Sequence, residues 1–221
     1  MEQQKIRSFY GRRQSRPLKE HQKNLLNTLY KTIKLDQENL PTSFPDDLIF
    51  EIGFGSGENI IHQARKNPLA LCIGCEPFIN GVAALLHKID EENIENIRIF
   101  SDDARLLLHT LPDQLITKAF ILFPDPWPKK RHHKRRIVNI QTLKLLHQKM
   151  QKAGTLTIAT DHLGYLEWIL EVIETPEFKN YFKLISTPDM NRPSEEEIPI
   201  TRYEKKALEN RPGAFLRFRV V

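Results

Sequence analysis

Cysteine is scarce in this sequence, which contains only Cys72 and Cys75. Two cysteines cannot build the disulfide framework of a small secreted domain. Both lie in the apolar run LALCIGC, where a buried strand is expected, whereas a redox CxxC pair lies in the turn at a helix start. A zinc site needs two further ligands at suitable spacing, and none stands out. We therefore expect two buried thiols in a reducing compartment and no metal.

Long hydrophobic runs are absent as well. No stretch approaches the ~20 apolar residues of a membrane-spanning helix, and the N-terminal segment MEQQKIRSFYGRRQSRPLKE lacks the apolar core of a secretory signal. These absences predict a cytoplasmic protein without membrane contact. Hydrophobic residues still form 40% of the 221 residues, which suits a folded chain of one sizeable domain. We expect residues 1–17 to form a flexible basic arm and residues 18–221 a single domain.

Acidic residues are nearly missing from two segments that are rich in Lys and Arg. The net charge is +5, but residues 1–23 and 127–136 together carry +11 and the remaining chain −6. Charge that serves solubility would be spread more evenly. A concentrated basic surface is typical of proteins that bind a polyanion such as a nucleic acid. The alternative is a solvated basic face without a partner.

Strand and helix patterns alternate along the chain after residue 47. Short, continuous apolar strands between helices predict a parallel sheet with helices on both faces. The predicted strands are 48–53, 69–75, 96–101, 118–123 and 154–160, followed by late strands at 182–186 and 214–220. The predicted helices are 18–33, 57–67, 78–92, 103–111, 137–151 and 162–174.

Polar and glycine residues follow five of these strands. Such sheets bind ligands beyond the carboxyl ends of their strands, so one site assembled from five strand ends is expected. The residues concerned are Gly53–Gly57, Glu76, Asp102–Asp103, Asp125 and Thr160–Asp161.

The first strand end, EIGFGSGE, has glycines at 53, 55 and 57. Glycine lets the backbone turn tightly and approach a ligand closely, although a glycine-rich turn alone is a weak signal. The dinucleotide fingerprint G-x-G-x-x-G would need glycine at 58, where this chain has Glu58. A ligand without phosphate suits this turn better, since a carboxylate beside it disfavours a pyrophosphate.

Three carboxylates indicate what that ligand carries. Glu76 could accept two hydrogen bonds from ribose hydroxyls. Asp103 could accept an adenine amino proton, or it could simply cap the following helix. Glu51 lies in an apolar strand, where a buried carboxylate needs a partner such as a ligand ammonium or a backbone amide. A ligand with ribose, an adenine-like amine and a positive amino-acid end is S-adenosylmethionine.

The stretch FPDPWPKKRHHKRR places an acid beside a dense basic run. Prolines fix the backbone around Asp125 and Trp127, which favours a site over a rigid connector. The Lys and Arg side chains would meet RNA phosphates, giving affinity without sequence reading. His132 and His133 are expected to contact RNA or to be exposed, rather than to bind metal. The residues predicted to contact RNA are Arg131, His132, His133, Lys134, Arg135 and Arg136.

Six motifs in order, EIGFGSGE, GCEPF, DDARLLL, FPDPWPKKRHHKRR, TDH and TRYEK, resemble those of the bacterial tRNA (guanine-N7)-methyltransferases over about residues 48–206. The resemblance implies the Rossmann-like class I methyltransferase fold, with a mostly parallel seven-stranded sheet. It implies methyl transfer from S-adenosylmethionine to N7 of a guanine in the tRNA variable loop. The implied cofactor residues are Glu51, Glu76, Asp103 and Asp125, and the implied substrate residues are Lys129, Asp161, Thr201, Arg202, Tyr203 and Glu204.

Guanine N7 carries no proton at neutral pH, so its methylation needs no general base. We therefore expect Asp125 to act catalytically by orientation and by its negative charge. Glu204 could accept from the N1–H and N2–H₂ groups of the guanine, but Thr201 and Glu204 also fit a helix capping box. Within this motif the chain departs from the family, with Tyr203 for the usual Phe and Ala207 where a glycine is expected.

Three other functions stay open on the sequence. A nucleic-acid-binding module could use this fold without catalysis, but every cofactor-side carboxylate is retained. A nicotinamide-dependent oxidoreductase is disfavoured by the missing glycine at 58 and by the lack of a substrate domain. A methyltransferase acting on an exocyclic amine has a similar turn after the fourth strand. The expected partner is tRNA, and the expected assembly is a monomer or a homodimer.

Overall fold

The computed structural model describes residues 10–38, 40–185, 191–206 and 212–221. Its strands are β1 Leu48–Ile52, β2 Leu71–Cys75, β3 Ile97–Phe100, β4 Ile116–Leu122, β5 Met150–Thr160, β6 Phe182–Leu184 and β7 Ala214–Val220. Its helices are α1 Glu20–Asn27, α2 Leu29–Ile33, α3 Glu58–Lys66, α4 Ile79–Glu92, α5 Ala104–Leu108, α6 Ile140–Lys149, α7 Leu163–Ile173, α8 Pro176–Lys179 and α9 Arg202–Lys206. A 3₁₀ helix spans Lys130–Arg135.

The strands form one sheet in the order β3-β2-β1-β4-β5-β7-β6. β1 pairs in parallel with β2 on one side and β4 on the other, while β7 runs antiparallel to both β5 and β6. The order therefore reverses between β1 and β4, which is where open α/β sheets bind ligands. The predicted mostly parallel, seven-stranded sheet is confirmed.

Hydrophobic clusters cover both faces of the sheet, because successive side chains of a buried strand point to opposite sides. Leu48, Phe50 and Ile52 belong to one cluster. Ile49 belongs to the other, which packs against helix α4. The continuous apolar strands thus reflect a sheet covered on both faces, as predicted.

The predicted first helix, residues 18–33, is broken in the structure. Thr28 ends α1 with non-helical backbone angles, and its hydroxyl donates to the carbonyl of Asn24 at 2.8 Å. Such back-bonding by threonine competes with the regular helix. The chain therefore restarts as α2 after one residue.

Tertiary pairing moves the boundaries predicted around β5. The predicted helix 137–151 begins only at Ile140, since Asn139 caps it by accepting from the Thr142 amide at 2.9 Å. It ends at Lys149, because Met150 already pairs with Ile116 of β4. β5 thus starts four residues before the predicted strand 154–160.

Two short elements were missed by sequence patterns, namely the 3₁₀ helix and α8, whereas α9 begins at the capping box that TRYEK offered as an alternative. α8 is a single turn capped by the Thr175 hydroxyl, too short to show a hydrophobic period. Residues 1–9 of the predicted arm, residue 186 of the predicted late strand and Ala207 lie outside the described residues.

Cys72 and Cys75 are both buried, free thiols. Burial raises the pKa of Cys72 to about 12 and that of Cys75 well above its usual value. Thiols held in this neutral form are poor nucleophiles and metal ligands. The prediction of two buried thiols is confirmed. In the part of the chain that is described, no helix is long and apolar enough to cross a membrane.

Candidate active site

A cavity of about 410 Å³ opens at the carboxyl ends of the central strands. Its lining includes six residues that the sequence singled out, namely Gly53, Glu76, Asp103, Asp125, Arg135 and Tyr203. The strand-end rule therefore assembles one site from residues far apart in the chain. Glu51 and Gly57 do not line this cavity, and Gly55 lines a smaller neighbouring one of about 260 Å³.

Glu76 anchors the glycine-rich turn. Its Oε2 accepts from the amide of Gly55 at 2.9 Å, and its Oε1 accepts from the amide of Phe78 at 2.9 Å. Gly53, Gly55 and Gly57 all have positive φ values, a conformation that side chains rarely adopt. Burial raises the pKa of Glu76 to about 7 although both amide bonds lower it. The carboxylate is therefore held in place by backbone donors while it faces the cavity.

Helix α4 approaches the same turn very closely at Gly81. A Cβ atom there would lie 2.4 Å from the carbonyl oxygen of Gly55, which no real Cβ tolerates. Glycine at 81 thus allows the helix to support the turn, a contact between residues 26 positions apart in the printed sequence. Sequence reasoning missed it because a lone helical glycine gives no sign of what it packs against.

Asp125 sits in a turn with strained backbone on both sides. Phe123 has φ 50° and Trp127 has φ 45°, values that cost free energy in residues other than glycine. The side chain of Asp125 lines the cavity, and partial loss of water raises its pKa. The predicted rigid turn is present, and it points an acid towards the cavity.

Arg135 of the 3₁₀ helix lies between two aromatic rings at the cavity mouth. Its guanidinium carbon is 4.8 Å from the Tyr10 ring centroid and 4.9 Å from that of Trp127. The two histidines also contact rings, His132 that of Trp127 and His133 that of Trp168. The basic segment is therefore an ordered wall beside the turn of Asp125.

Thr201 and Glu204 form the capping box of α9. The Thr201 amide donates to Glu204 Oε2 at 2.9 Å, and the Glu204 amide donates to the Thr201 hydroxyl at 3.2 Å. Arg192 Nε also donates to Glu204 Oε1 at 2.7 Å. The capping box, which was the alternative to guanine binding for this motif, is thus present. Tyr203 of the same motif lines the cavity.

Comparisons with known proteins show the family of this chain. A family model described as "Putative methyltransferase" matches residues 45–216. The tRNA (guanine-N(7)-)-methyltransferase of Zymomonas mobilis is 42% identical over 212 residues, covering 92% of this chain and 90% of that protein. The one of Hyphomonas neptunium is 40% identical, covering 97% of this chain and 100% of that protein. The chain belongs to the tRNA (guanine-N(7)-)-methyltransferase family.

Solved structures support the fold of this tRNA methyltransferase family member. An rRNA methylase from Streptococcus thermophilus matches with a TM-score of 0.54 and 13% identity, covering 89% of this chain and 96% of that one. An antibiotic-related methyltransferase matches with a TM-score of 0.57 and 17% identity, covering 87% and 98%. At such identities the likeness shows the class I methyltransferase fold alone.

In this methyltransferase, Asp103 caps helix α5. Its Oδ1 accepts from the Arg105 amide at 3.0 Å, and the Arg105 side chain donates to both carboxylate oxygens at 2.9 and 2.5 Å. The cap expected as the alternative is therefore present, although Asp103 also lines the cavity. A contact to the cofactor remains a prediction.

The N-terminal arm supplies cavity residues that were not predicted. Tyr10, Gly11 and Arg12 line the cavity. Arg13 holds the arm in place, since its Nη2 donates to Asp102 Oδ1 at 3.0 Å and its carbonyl accepts from the Ile79 amide at 2.8 Å. The positive charge of the arm predicted a polyanion-binding segment but gave no sign of this docking.

Arg136 differs in its surroundings from the rest of the basic run. It was grouped with the RNA-contacting run, but it is only 3% exposed. Its Nε donates to the carbonyl of Pro126 at 2.9 Å, and its guanidinium lies over the rings of Tyr165 and Trp168. The sequence of the basic segment could not reveal this burial, because both rings belong to helix α7, which lies later in the chain.

Three other predicted substrate residues, Lys129, Asp161 and Arg202, do not line the larger cavity. Lys129 is exposed and directly precedes the 3₁₀ helix. Asp161 is buried after β5, and the cap of α7 is His162 rather than Asp161. Arg202 lines the smaller cavity together with Arg16. Among the described residues, no group of three or more His, Cys, Asp or Glu side chains could hold a metal ion.

Glu51 is buried at 3% exposure beside this site. Its Oε2 accepts from Asn59 Nδ2 at 3.1 Å. Burial is the main cause that raises its pKa to about 8, and the Asn59 hydrogen bond opposes it. The protonated acid is thus the form that the folded apoprotein prefers at neutral pH.

This raised pKa predicts how stability depends on pH. The folded state keeps a proton on Glu51 that the unfolded chain releases near pH 4.5, so the free energy of unfolding falls as pH rises towards about 8. The slope is about 1.4 kcal/mol per pH unit. Urea unfolding of the apoprotein between about pH 5.5 and 7, well inside this window, should show it, and Glu51→Gln should be flatter there. Equal slopes in both proteins would contradict the assignment.

Proposed function

We propose that this protein transfers the methyl group of S-adenosylmethionine to N7 of a guanine in the variable loop of tRNA. One observation carries the proposal besides family membership. The acid of the strained turn, Asp125, and the half-buried Arg135 of the basic wall line the same cavity. A small-molecule site and a polyanion-binding surface would therefore lie at the opening of the same cavity.

The cavity suits S-adenosylmethionine, the cofactor of this family. Ile52 and Phe78 contribute apolar surface, and Glu76 and Asp103 contribute hydrogen-bond acceptors. We expect Glu76 to hold the ribose hydroxyls and Asp103 the adenine amino group, since each carboxylate oxygen has more than one acceptor position. When bound, the cofactor supplies an electrophilic methyl group on a positively charged sulfur.

Asp125 acts on the charge that develops during the reaction. Guanine N7 attacks with its own lone pair, so no side chain needs to remove a proton. The purine ring becomes positive as the new bond forms, and a fixed carboxylate at the cavity stabilises that charge. The strained turn holds the carboxylate in one orientation, which also aligns the base. Asp125 therefore serves as an orienting and electrostatic residue.

The motif TRYEK suits the far edge of the guanine. Glu204 already accepts from Thr201 and Arg192, but a carboxylate has about four acceptor positions. One further bond from each of N1–H and N2–H₂ would leave N7 facing the methyl group. Tyr203 lines the cavity and offers a ring for stacking. Of this motif, Tyr203 lines the larger cavity and Arg202 the smaller one, whereas the Glu204 carboxylate would have to turn towards the cavity to reach the base.

The RNA backbone would run along the exposed cations of the basic wall, Lys129, Lys130, Arg131 and Lys134. A second pair of cations, Arg16 and Arg202, lines the smaller cavity beyond the glycine-rich turn. Phosphates contacted on both sides of the larger cavity would place one nucleotide over it.

Mapping the product tests the proposal. The wild-type protein, incubated with unmodified tRNA and radiolabelled S-adenosylmethionine, should yield 7-methylguanosine on complete digestion to nucleosides. A tRNA with adenine in place of the variable-loop guanine is the matched control and should stay unlabelled. N6-methyladenosine as the product would instead support the exocyclic-amine reaction, and cofactor binding without any product would support a binding module.

A further inference from the structure

Arg136 stands apart from the other cations of the basic segment. Its neighbours Lys134 and Arg135 are exposed or half-buried, whereas Arg136 is buried. In the part of the chain that is described, no carboxylate forms an ion pair with it. The faces of Tyr165 and Trp168 instead contact it, with ring centroids 5.0 and 5.2 Å from the guanidinium carbon, and the charge of Glu171 also favours the cation.

The box around Arg136 is itself fixed by hydrogen bonds. Trp168 Nε1 donates to the carbonyl of Val138 at 2.7 Å, and the Val138 amide donates to the Tyr165 hydroxyl at 3.2 Å. Asn139 Nδ2 donates to the carbonyl of Arg136 at 2.7 Å. The guanidinium therefore lies against two rings of helix α7 that are themselves fixed by hydrogen bonds to the backbone of Val138.

The one hydrogen bond that this guanidinium makes within the described residues goes to the turn that carries Asp125. Nε donates to the carbonyl of Pro126, the residue after Asp125, at 2.9 Å. That turn has left-handed backbone at Phe123 and Trp127. Backbone in such conformations persists only where the surrounding structure holds it. Arg136 is placed to provide that restraint.

We infer that Arg136 is a positioning residue for methyl transfer, which fixes the Asp125 turn instead of binding RNA. The inference rests on the proposed function. It assigns the basic segment two roles. The exposed cations before Arg136 face solvent and RNA, and Arg136 ties the end of the segment to the reacting side of the cavity. A loosened turn misaligns Asp125, and small misplacements cost large factors in rate.

Arg136→Met tests the inference, since methionine fills the box but cannot donate to Pro126. We expect kcat to fall about 10- to 100-fold, while the Kd for tRNA stays within about twofold of wild type and its salt dependence is unchanged. Lys152→Met, an exposed charge change on β5, should match wild type. Unchanged kcat with weaker tRNA binding and a shallower salt dependence would overturn the inference.

Chemical rescue separates positioning from a general loss of structure. Arg136→Ala leaves a space that ethylguanidinium fits, so added ethylguanidinium should restore kcat in this variant but not in Arg136→Met, where the side chain fills the box. Absence of rescue in a folded Arg136→Ala protein would overturn the inference. If that variant does not fold, the split between kcat and Kd in Arg136→Met decides alone. An inactive wild-type protein would count against the proposed function instead.

Discussion

Asp125→Asn should lower kcat about 10²- to 10³-fold, which is the usual effect of removing one group that stabilises transition-state charge. The change keeps the size and shape of the side chain, and the strained turn keeps its position. What is lost is the negative charge facing the guanine as its ring becomes positive. Single-turnover methylation at saturating S-adenosylmethionine and tRNA measures this step directly.

Two further measurements make this experiment decisive. The Kd for tRNA should stay close to the wild-type value, because Asp125 lies on the cavity side of the turn and the phosphate contacts lie on the basic wall. Asp90→Asn, the same charge change at an exposed position of α4, should retain wild-type kcat. A loss of less than about tenfold in Asp125→Asn would mean that its charge does not carry the electrostatic role.

The division of the segment FPDPWPKKRHHKRR into two surfaces was predictable, but its boundary was not. The prolines and the strand end placed Asp125 at the site, and the basic letters indicated a polyanion surface. All six cations look alike in sequence. Only the fold separates Arg136, since its partners Tyr165 and Trp168 lie about thirty residues later and contact it through α7 packing.

The strand ends were the strongest sequence signal, because a parallel sheet brings its carboxyl ends to one edge whatever the loops do. Contacts between distant segments could not be predicted from the sequence. The arm at Arg13 contacts Asp102, and Gly81 of helix α4 contacts Gly55, and no periodicity reveals either pair. The function of residues that can also cap a helix stayed ambiguous in the sequence. Glu204 is such a residue, and its capping partners are in place in the structure.

The carboxylates Glu51 and Glu76 were both predicted to bind the cofactor, Glu76 at the ribose and Glu51 at a positive group, and the structure separates them. Glu76 ends β2 and lines the cavity, while Glu51 is enclosed in β1 and bonded to Asn59. Position in the strand decides this, since a residue inside a central strand is covered by the sheet's own helices. Direct contact with the cofactor is therefore expected from Glu76 first.

Glu76→Ala should raise the Kd for S-adenosylmethionine at least about 100-fold. The variant loses the acceptor for the ribose hydroxyls and also leaves the amides of Gly55 and Phe78 without their partner. A hydrogen bond to a charged group contributes about 1.5–3 kcal/mol. The loss of two such bonds to the ribose hydroxyls therefore accounts for a factor of this size. Isothermal titration calorimetry measures it, with the exposed Glu177→Ala as control. Binding as tight as wild type would remove Glu76 from the cofactor site.

The raised pKa of Glu76 adds a second, independent test, because it gives stability and binding opposite pH dependences. The folded apoprotein holds a proton on Glu76 up to about pH 7, while the unfolded chain releases it near pH 4.5, so stability falls as pH rises through this range. Cofactor binding needs the ionised acceptor, so affinity should fall about tenfold for each pH unit below 7. Glu76→Gln has no proton to exchange, and its weaker affinity should be flat over the same range. If wild-type affinity were also flat, Glu76 would support the glycine-rich turn without touching the ligand, and the ribose would have to be held by other acceptors of the cavity.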